Sequence, residues 1–172
     1  MPNVSGKRMS NISNRTSPDN YFENFEVGQT IAHARGKTVT EMDNVLLTNM
    51  VMNTAQAHFN EHLMQQSSDI AGFDTRIVYG GINFSMVIGL ATQDTGEQVL
   101  QELGMDKIRL KTPVHHGDTL YAFTEVLAKT ESDRSDAGLV RFKHFGINQH
   151  DELVYEGERT VLLKRRSAWG DR

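Results

Sequence analysis

The chain has 172 residues, of which 38% are hydrophobic and 23% are charged. This length suits one hydrophobic core rather than two, and no apolar run approaches the ~20 residues that a membrane-spanning helix needs. The net charge of −4 and the lack of a basic block argue against a nucleic-acid surface. The absence of cysteine excludes disulfides, thiol nucleophiles and cysteine-based zinc sites, and it fits a reducing cytoplasm.

The N-terminal segment differs in composition from the rest of the chain. Residues 1–19 are rich in Ser and Asn and carry no acidic residue before Asp19. They contain no apolar segment of the kind found in a secretory signal, so we predict a disordered tail instead. We predict a single folded domain over residues 20–166 and a short C-terminal tail over residues 167–172.

The first half of the domain combines one strand, one helix and a polar loop. Residues 30–39 are compatible with a β-strand. Thr40 and Asp43 then have the spacing of a capping box, and apolar residues recur at helical spacing, so we predict a helix over residues 41–52. Residues 53–68 are polar and are predicted to form a loop with a short helical turn.

A second helix is predicted from Tyr79-Gly80-Gly81 to about Gln93. It is apolar around most of its circumference, which is typical of a buried helix rather than a surface one. Small residues on one of its faces allow close approach to a sheet or to another helix; they are Gly81, Ser85 and Gly89.

The remainder of the chain is predicted to consist of strands. The pattern favours strands over residues 107–114, 118–127, 139–148 and 153–163, joined by turns that allow antiparallel pairing. The order is therefore strand, helix, loop, buried helix and four strands. This order predicts the α+β class, with an antiparallel sheet wrapped around one buried central helix.

Four stretches of the sequence resemble the MaoC-like dehydratases, a branch of the hot-dog enoyl-CoA hydratases. They are YFENFEVG, MNTAQAHFN, IVYGG and PVHHGDTL, at residues 21–28, 52–60, 77–81 and 113–120. The resemblance covers residues 21–165. It implies a hot-dog fold, a homodimer that joins two sheets edge to edge, and an acyl-CoA thioester held in a tunnel near the interface. A dimer of dimers or a trimer of dimers remains open.

The resemblance also implies site residues. In the family motif Asp-x-Asn-Pro-x-His, the Asp and His act on the attacking water and the substrate, and a Gly at the start of the central helix binds the thioester oxygen. His58 matches the histidine and Gly80 the glycine, while Tyr79 stands where a His is frequent. Asn53 replaces the catalytic Asp, as in a subgroup associated with mesaconyl-CoA. The implied activity is that of a hydro-lyase on an enoyl-CoA, with no cofactor, because coenzyme A is part of the substrate.

Hydration of an enoyl thioester places negative charge on the carbonyl oxygen as water attacks C3. A backbone N–H at a helix N-terminus, such as that of Gly80, stabilises this charge. A histidine can take a proton from water and return it to C2, so His58 is predicted to act in both steps. Asn53 cannot take a proton, although its carboxamide can orient a water. A bolder hypothesis is that a carboxylate on the substrate supplies the missing charge.

Further residues are predicted to bind the substrate, namely Tyr79, Gly81, Ser85, His116 and Arg109. Arg109 belongs to a set of basic residues that are candidates for the coenzyme A phosphates or a substrate carboxylate, although a solvated strand face explains any one of them better. A metal is not expected: His58 and His62 are four apart, but no His-Glu-x-x-His order is present.

Two other functions remain open at this point. Hot-dog thioesterases also have glycines before the central helix, but they generally need a carboxylate on that helix. Here the central helix has no acidic residue before Asp94, near its end. The replacement of the catalytic Asp by Asn53 leaves a non-catalytic acyl-CoA-binding subunit as a third possibility. Thiol release, loss of enoyl absorbance, or binding alone distinguishes the three.

Overall fold

The fold is a six-stranded sheet that curls around one long helix. The computed structural model describes residues 3–4, 7–8, 12–13, 16–66, 69 and 72–170. In chain order the elements are β1 (Asn3–Val4), β2 (Lys7–Arg8), β3 (Ile12–Ser13), β4 (Thr30–Thr38), α1 (Glu41–Met50), α2 (Glu61–Gln66), α3 (Gly80–Thr95), β5 (Val99–Leu110), β6 (Thr119–Glu131), β7 (Ala137–Ile147), β8 (Leu153–Lys164) and α4 (Arg166–Trp169).

The strand order of the large sheet is β3-β4-β6-β7-β8-β5. All neighbours are antiparallel except the short parallel pair of β3 with β4. β1 and β2 pair only with each other. Because β5 leaves the chain order and pairs with β8, it forms one edge of the sheet.

Helix α3 packs across the concave face of the sheet. Its buried residues Ile82 and Val87 belong to a core cluster with Leu120, Val154 and Tyr155 of the sheet and its flanks. A Cβ on Gly146 of β7 would overlap Val87, so this glycine is what lets the helix approach the sheet closely. The predicted α+β hot-dog architecture and the predicted buried helix are confirmed.

The capping box predicted before α1 is present. The Thr40 hydroxyl accepts a hydrogen bond from the Asp43 N–H at 3.1 Å, and the Asp43 carboxylate accepts one from the Thr40 N–H at 2.8 Å. Lys37 contacts the same carboxylate at 2.9 Å. The helix ends at Met50, two residues earlier than predicted, because Met52 has a left-handed backbone with φ of 56°.

The bounds predicted for the strand over residues 107–114 are wrong at both ends. β5 begins at Val99, soon after the end of α3, and it ends at Leu110. Its side chains are exposed along most of its length, so the alternation that marks a half-buried strand is missing from its sequence. The last predicted residues lie outside it: the N–H groups of Lys111 and Thr112 still bond carbonyls of β8, whereas Pro113 has no N–H to donate.

The predicted tails are described only in part, since residues 1–2, 5–6, 9–11, 14–15 and 171–172 lie outside the described residues. Where the N-terminal segment is described, Ile12 and Ser13 pair with β4, and the Ser17 N–H donates to Asp94 at 2.8 Å. The disordered tail and the domain boundaries stay predictions. No helix in the described ranges has the length and hydropathy to cross a bilayer.

Candidate active site

A cavity of about 640 Å³ lies between the turn after α1, the first turn of α3 and the end of β5. It brings together most of the residues that the sequence predicted for the site, namely Asn53, His58, Tyr79, Gly80 and Gly81. The rest of its wall is mainly apolar and includes Phe84, Ile108 and Leu110.

His58 sits in a 3₁₀ turn, Gln56–His58, with 9% of its surface exposed. Its Nδ1 lies 2.9 Å from the carbonyl oxygen of Ile77. A carbonyl only accepts hydrogen bonds, so Nδ1 carries the proton of the neutral imidazole and Nε2 keeps a lone pair. The ring packs edge-on against Tyr79, with centroids 5.6 Å apart. The neutral imidazole therefore retains a nitrogen that can act as a base.

Asn44, buried in α1, joins the two halves of the site. Its Nδ2 donates to the carbonyl of His58 at 3.3 Å, and its Oδ1 accepts from the N–H of Tyr79 at 3.0 Å. One side chain thus fixes the distance between the histidine turn and the start of α3. The sequence pattern did not reveal Asn44, because the only signal was a polar residue one turn after a capping box.

His116 also contacts Asn44 and is not among the residues that line the cavity. Its Nε2 lies 3.1 Å from Asn44 Nδ2, which donates to it. Burial lowers the pKa of His116, and the nearby charge of Arg76 lowers it further, so the ring is held neutral as an acceptor. The predicted contact of His116 with substrate stays a prediction.

Arg76 forms ion pairs that link the segment before α3 to α1 and α2. Its guanidinium lies 2.6 Å from Glu41 of α1 and 2.8 Å from Glu61 of α2. Hydrogen bonds from Arg76 hold the pKa of each of these carboxyl groups below its usual value. Because both partners are already in place, Arg76 has little capacity left to bind a phosphate.

Asn53 has its amide oxygen engaged by the backbone. Oδ1 accepts from the N–H of Ala55 at 2.9 Å. A backbone N–H can only donate, so this contact identifies the oxygen and leaves Nδ2, a donor, for the cavity. Through Nδ2, Asn53 can therefore hold an oxygen atom of water or substrate, while the backbone uses one of the two lone pairs of Oδ1.

The first turn of α3 supplies backbone N–H groups that no carbonyl within the helix can accept. Tyr79 is the N-cap, followed by Gly80 and Gly81. A Cβ on Gly80 would overlap Leu110, and one on Gly81 would overlap the ring of Tyr79. The two glycines allow this close packing, and they place the N-terminus of α3 in the cavity wall, where it can bind an anionic group.

Two predicted site residues are placed elsewhere. Ser85 is exposed and lines a separate cavity of about 620 Å³ between β4, α1 and α3. Arg109 is exposed on β5, with its guanidinium 3.9 Å from Glu156. Lys111 lines the candidate site instead and lies 3.2 Å from Glu156. Burial raises the pKa of Glu156, but hydrogen bonds from Lys143 and Lys111 outweigh it and lower the pKa.

Within the described residues, no three His, Asp or Glu side chains are grouped as a metal site would require. A site without metal or cofactor stays a prediction.

A family model described as mesaconyl-CoA hydratase matches residues 32–165. The chain belongs to this family. A beta-methylmalyl-CoA dehydratase from Chloroflexus aurantiacus is 31% identical over 159 residues, which make up 90% of this chain and 43% of that protein. A mesaconyl-CoA hydratase from Haloarcula marismortui is 32% identical over 163 residues, with 87% of this chain and 43% of the relative covered. The chain thus spans less than half the length of these two relatives.

A shorter relative is covered almost completely. An (R)-specific enoyl-CoA hydratase from Rhodospirillum rubrum is 30% identical over 154 residues, which span 85% of this chain and 93% of that protein.

Solved structures support the fold. A MaoC-like dehydratase from Rhodospirillum rubrum has a TM-score of 0.72 at 21% identity, with 86% of this chain and 98% of that chain covered. A Mycobacterium tuberculosis protein with a double hot-dog fold has a TM-score of 0.77 at 24% identity, with 88% and 46% covered. At these identities the likeness establishes the hot-dog fold alone.

Proposed function

We propose that the chain is a hydro-lyase that adds water to the double bond of an α,β-unsaturated acyl-CoA thioester, or removes it in the reverse direction. The observation that carries the proposal is that an imidazole nitrogen with a free lone pair and the glycine N-terminus of α3 belong to one largely apolar cavity. Both groups that hydration needs, a base and an oxyanion donor, are thus within the same space.

In the proposed reaction the thioester oxygen binds at the N–H of Gly80, and the helix dipole stabilises the enolate charge. Losing one such donor typically costs ~3 kcal/mol of transition-state stabilisation. Water attacks C3 and gives one proton to His58 Nε2, which then delivers it to C2 on the same face. One C–O bond and one C–H bond form, the double bond is consumed, and the histidine returns to its starting state.

For the acyl group we propose a short branched dicarboxylic thioester such as mesaconyl-CoA. Two observations support this choice. The matching family model bears that name, and Lys111 in the cavity wall shares its partner Glu156 with Lys143, so this cluster keeps positive charge with which a free carboxylate can pair. Exposed basic side chains of β5 beside the cavity, Lys107 and Arg109, are candidates for the coenzyme A phosphates.

We further propose a homodimer formed along β5. This strand ends the sheet on one side, and it exposes Leu103, Met105, Ile108 and Leu110 to a large extent. Pairing with β5 of a second copy would remove an unpaired edge and cover apolar surface. Larger assemblies of such dimers, and a cytoplasmic location, stay predictions from the sequence.

Hydrolysis of the thioester is less well supported. Of the described residues that line the cavity, none carries a carboxylate that could activate water. A purely binding role would not call for the free Nε2 of His58.

The test is to follow the ultraviolet absorbance of the enoyl thioester with crotonyl-CoA and, separately, with mesaconyl-CoA, while a thiol reagent reports free coenzyme A. We expect loss of absorbance without thiol release, faster with mesaconyl-CoA. His58→Ala should lower the rate by at least 100-fold, of the order seen for general acid–base groups. Thiol release would favour a thioesterase instead, and binding without turnover of either substrate would favour a non-catalytic subunit.

A further inference from the structure

Asn83, in the second turn of α3, has a polar group that the fold does not use. It is 4% exposed and lines the same cavity as His58 and Asn53. Its Oδ1 is buried, and no donor within the described part of the protein reaches it. A buried amide oxygen without a donor destabilises the folded state, so its presence at a cavity wall needs an explanation other than folding.

Two other buried asparagines have amides whose oxygen and nitrogen are both hydrogen-bonded within the fold. Asn148 accepts from the N–H groups of His150 and Glu152 at 2.9 and 3.0 Å, and it donates to the Glu152 carboxylate at 2.8 Å. Asn44 likewise uses both ends of its amide. Asn83 differs from both, and its surroundings at the cavity wall, such as Phe84, are apolar.

The chemistry of the proposed reaction calls for an acceptor at this place. An attacking water has two O–H groups, and His58 Nε2 can accept only one of them. In the family motif a carboxylate can accept the other, whereas at Asn53 the Ala55 N–H already takes one of the two lone pairs of Oδ1, and Nδ2 can only donate. The amide of Asn83 is free, and rotation about its Cβ–Cγ bond, which has a broad torsional profile, can present its oxygen to the cavity.

We infer that Asn83 accepts the second O–H of the attacking water, and equally the C3 hydroxyl of the hydrated thioester. This inference rests on the proposed hydratase function. It assigns complementary tasks to the two asparagines: Nδ2 of Asn53 donates to the water oxygen, while Oδ1 of Asn83 accepts from its remaining hydrogen. The hydrogen held by Asn83 is not transferred, and it stays on the product oxygen.

The first part of the test compares Asn83→Leu with the matched control Asn148→Leu. Each replaces a buried amide by an apolar side chain of similar size. We expect the melting temperature of Asn83→Leu to stay unchanged or rise, because an unpaired oxygen is removed. Asn148→Leu should melt at a clearly lower temperature, because its partners lose their bonds. A similar decrease for both variants would contradict the inference.

The second part uses two ligands that differ by one hydroxyl, butyryl-CoA and 3-hydroxybutyryl-CoA, with affinities measured by calorimetry at equilibrium. The wild-type protein should prefer the hydroxyl ligand by about tenfold, the ratio that one well-placed hydrogen bond supplies. Asn83→Leu, and Asn83→Ala as a second variant, should lose this preference and bind butyryl-CoA as before.

Binding and turnover separate the two proposals. If the wild-type protein shows no hydration but its hydroxyl preference disappears with Asn83, the hydratase proposal fails and the role of Asn83 in binding the hydroxyl stands. If wild-type hydration occurs and the Asn83 variants keep both turnover and preference, the inference about Asn83 is overturned. A wild-type protein without any preference overturns it as well.

Discussion

At the scale of single residues, the protein contains a second polar network that lies away from the candidate active site. The His33 ring joins Asp94 at 2.5 Å through Nδ1 and Thr124 at 2.7 Å through Nε2. The Thr124 hydroxyl lies 2.8 Å from Nδ1 of His144. All four side chains are buried. Sequence alone could not group them, because they come from three strands and the end of α3, up to 111 residues apart.

The proton positions in this network follow from the threonine. A hydroxyl has one hydrogen, so Thr124 can donate to only one of the two rings and must accept from the other. If His33 donates Nδ1–H to Asp94, its Nε2 accepts from Thr124, and His144 donates its Nδ1–H to the threonine oxygen. In this arrangement His144 Nε2 carries a lone pair, and no donor among the described residues reaches it.

The network makes the stability of the protein depend on pH through His144. Burial lowers the pKa of this ring well below its usual value of 6.5, and the charge of Arg159 contributes in the same direction. Below pH 6.5 the unfolded chain therefore binds a proton that the folded chain refuses, so the free energy of unfolding falls as the pH falls. Above pH 6.5 this contribution is fully present.

Denaturant unfolding between pH 5 and pH 7 checks this expectation. The His144→Leu variant should show a shallower dependence on pH, by about one proton per molecule. The exposed His150 provides the control, since His150→Gln should leave the slope unchanged. If His144→Leu does not alter the slope of the unfolding free energy against pH, groups other than His144 determine that slope.

At the scale of elements, α1 depends on its first turn. The helix has only 10 residues, and its inner face carries Asn44, which positions both His58 and the start of α3. Lys37 and the backbone of Thr40 hold the pKa of Asp43 down to about 2, so the capping carboxylate is ionised at neutral pH. The N-terminus of α1 thus supports the geometry of the site.

Removing the cap should therefore affect both stability and activity. We expect Thr40→Ala to lower the free energy of unfolding by about 1 kcal/mol, the usual cost of losing a threonine N-cap. The exposed Ser135→Ala should change it by less than ~0.5 kcal/mol. Equal effects of the two substitutions on chemical denaturation would show that the capping box contributes nothing.

Comparison of the elements with the sequence shows which local signals were sufficient to predict a helix or a strand. Helix α3 was predictable because an apolar surface all round and a Gly-Gly start are both local properties, and the capping box of α1 is a local motif. β5 was not, because its apolar side chains, such as Leu103 and Met105, are exposed at a sheet edge and follow no inward–outward alternation. Asn44 and Asn83 escaped notice for a related reason: what distinguishes them is their partners, or the lack of them, across the fold.

At the scale of the whole molecule, the proposed dimer explains why the edge strand β5 exposes apolar side chains. Leu103 lies in β5 and is 47% exposed. Leu103→Lys places a charge against the apolar surface of the second copy and should shift the protein to monomers in analytical ultracentrifugation. Met42→Lys makes the same change on the exposed surface of α1 and should leave the dimer intact. Monomers in the wild-type protein, or dimers in both variants, would contradict pairing along β5.

Leu110 belongs to two surfaces at once. It stands against Gly80 in the wall of the cavity, and it is also half exposed at the end of β5. A second copy seated on that edge would close the space above the helix N-terminus and exclude bulk water from it. Dilution would separate the two copies and open the cavity, so turnover per chain would fall. The concentration of the protein would then determine what fraction of the chains is active.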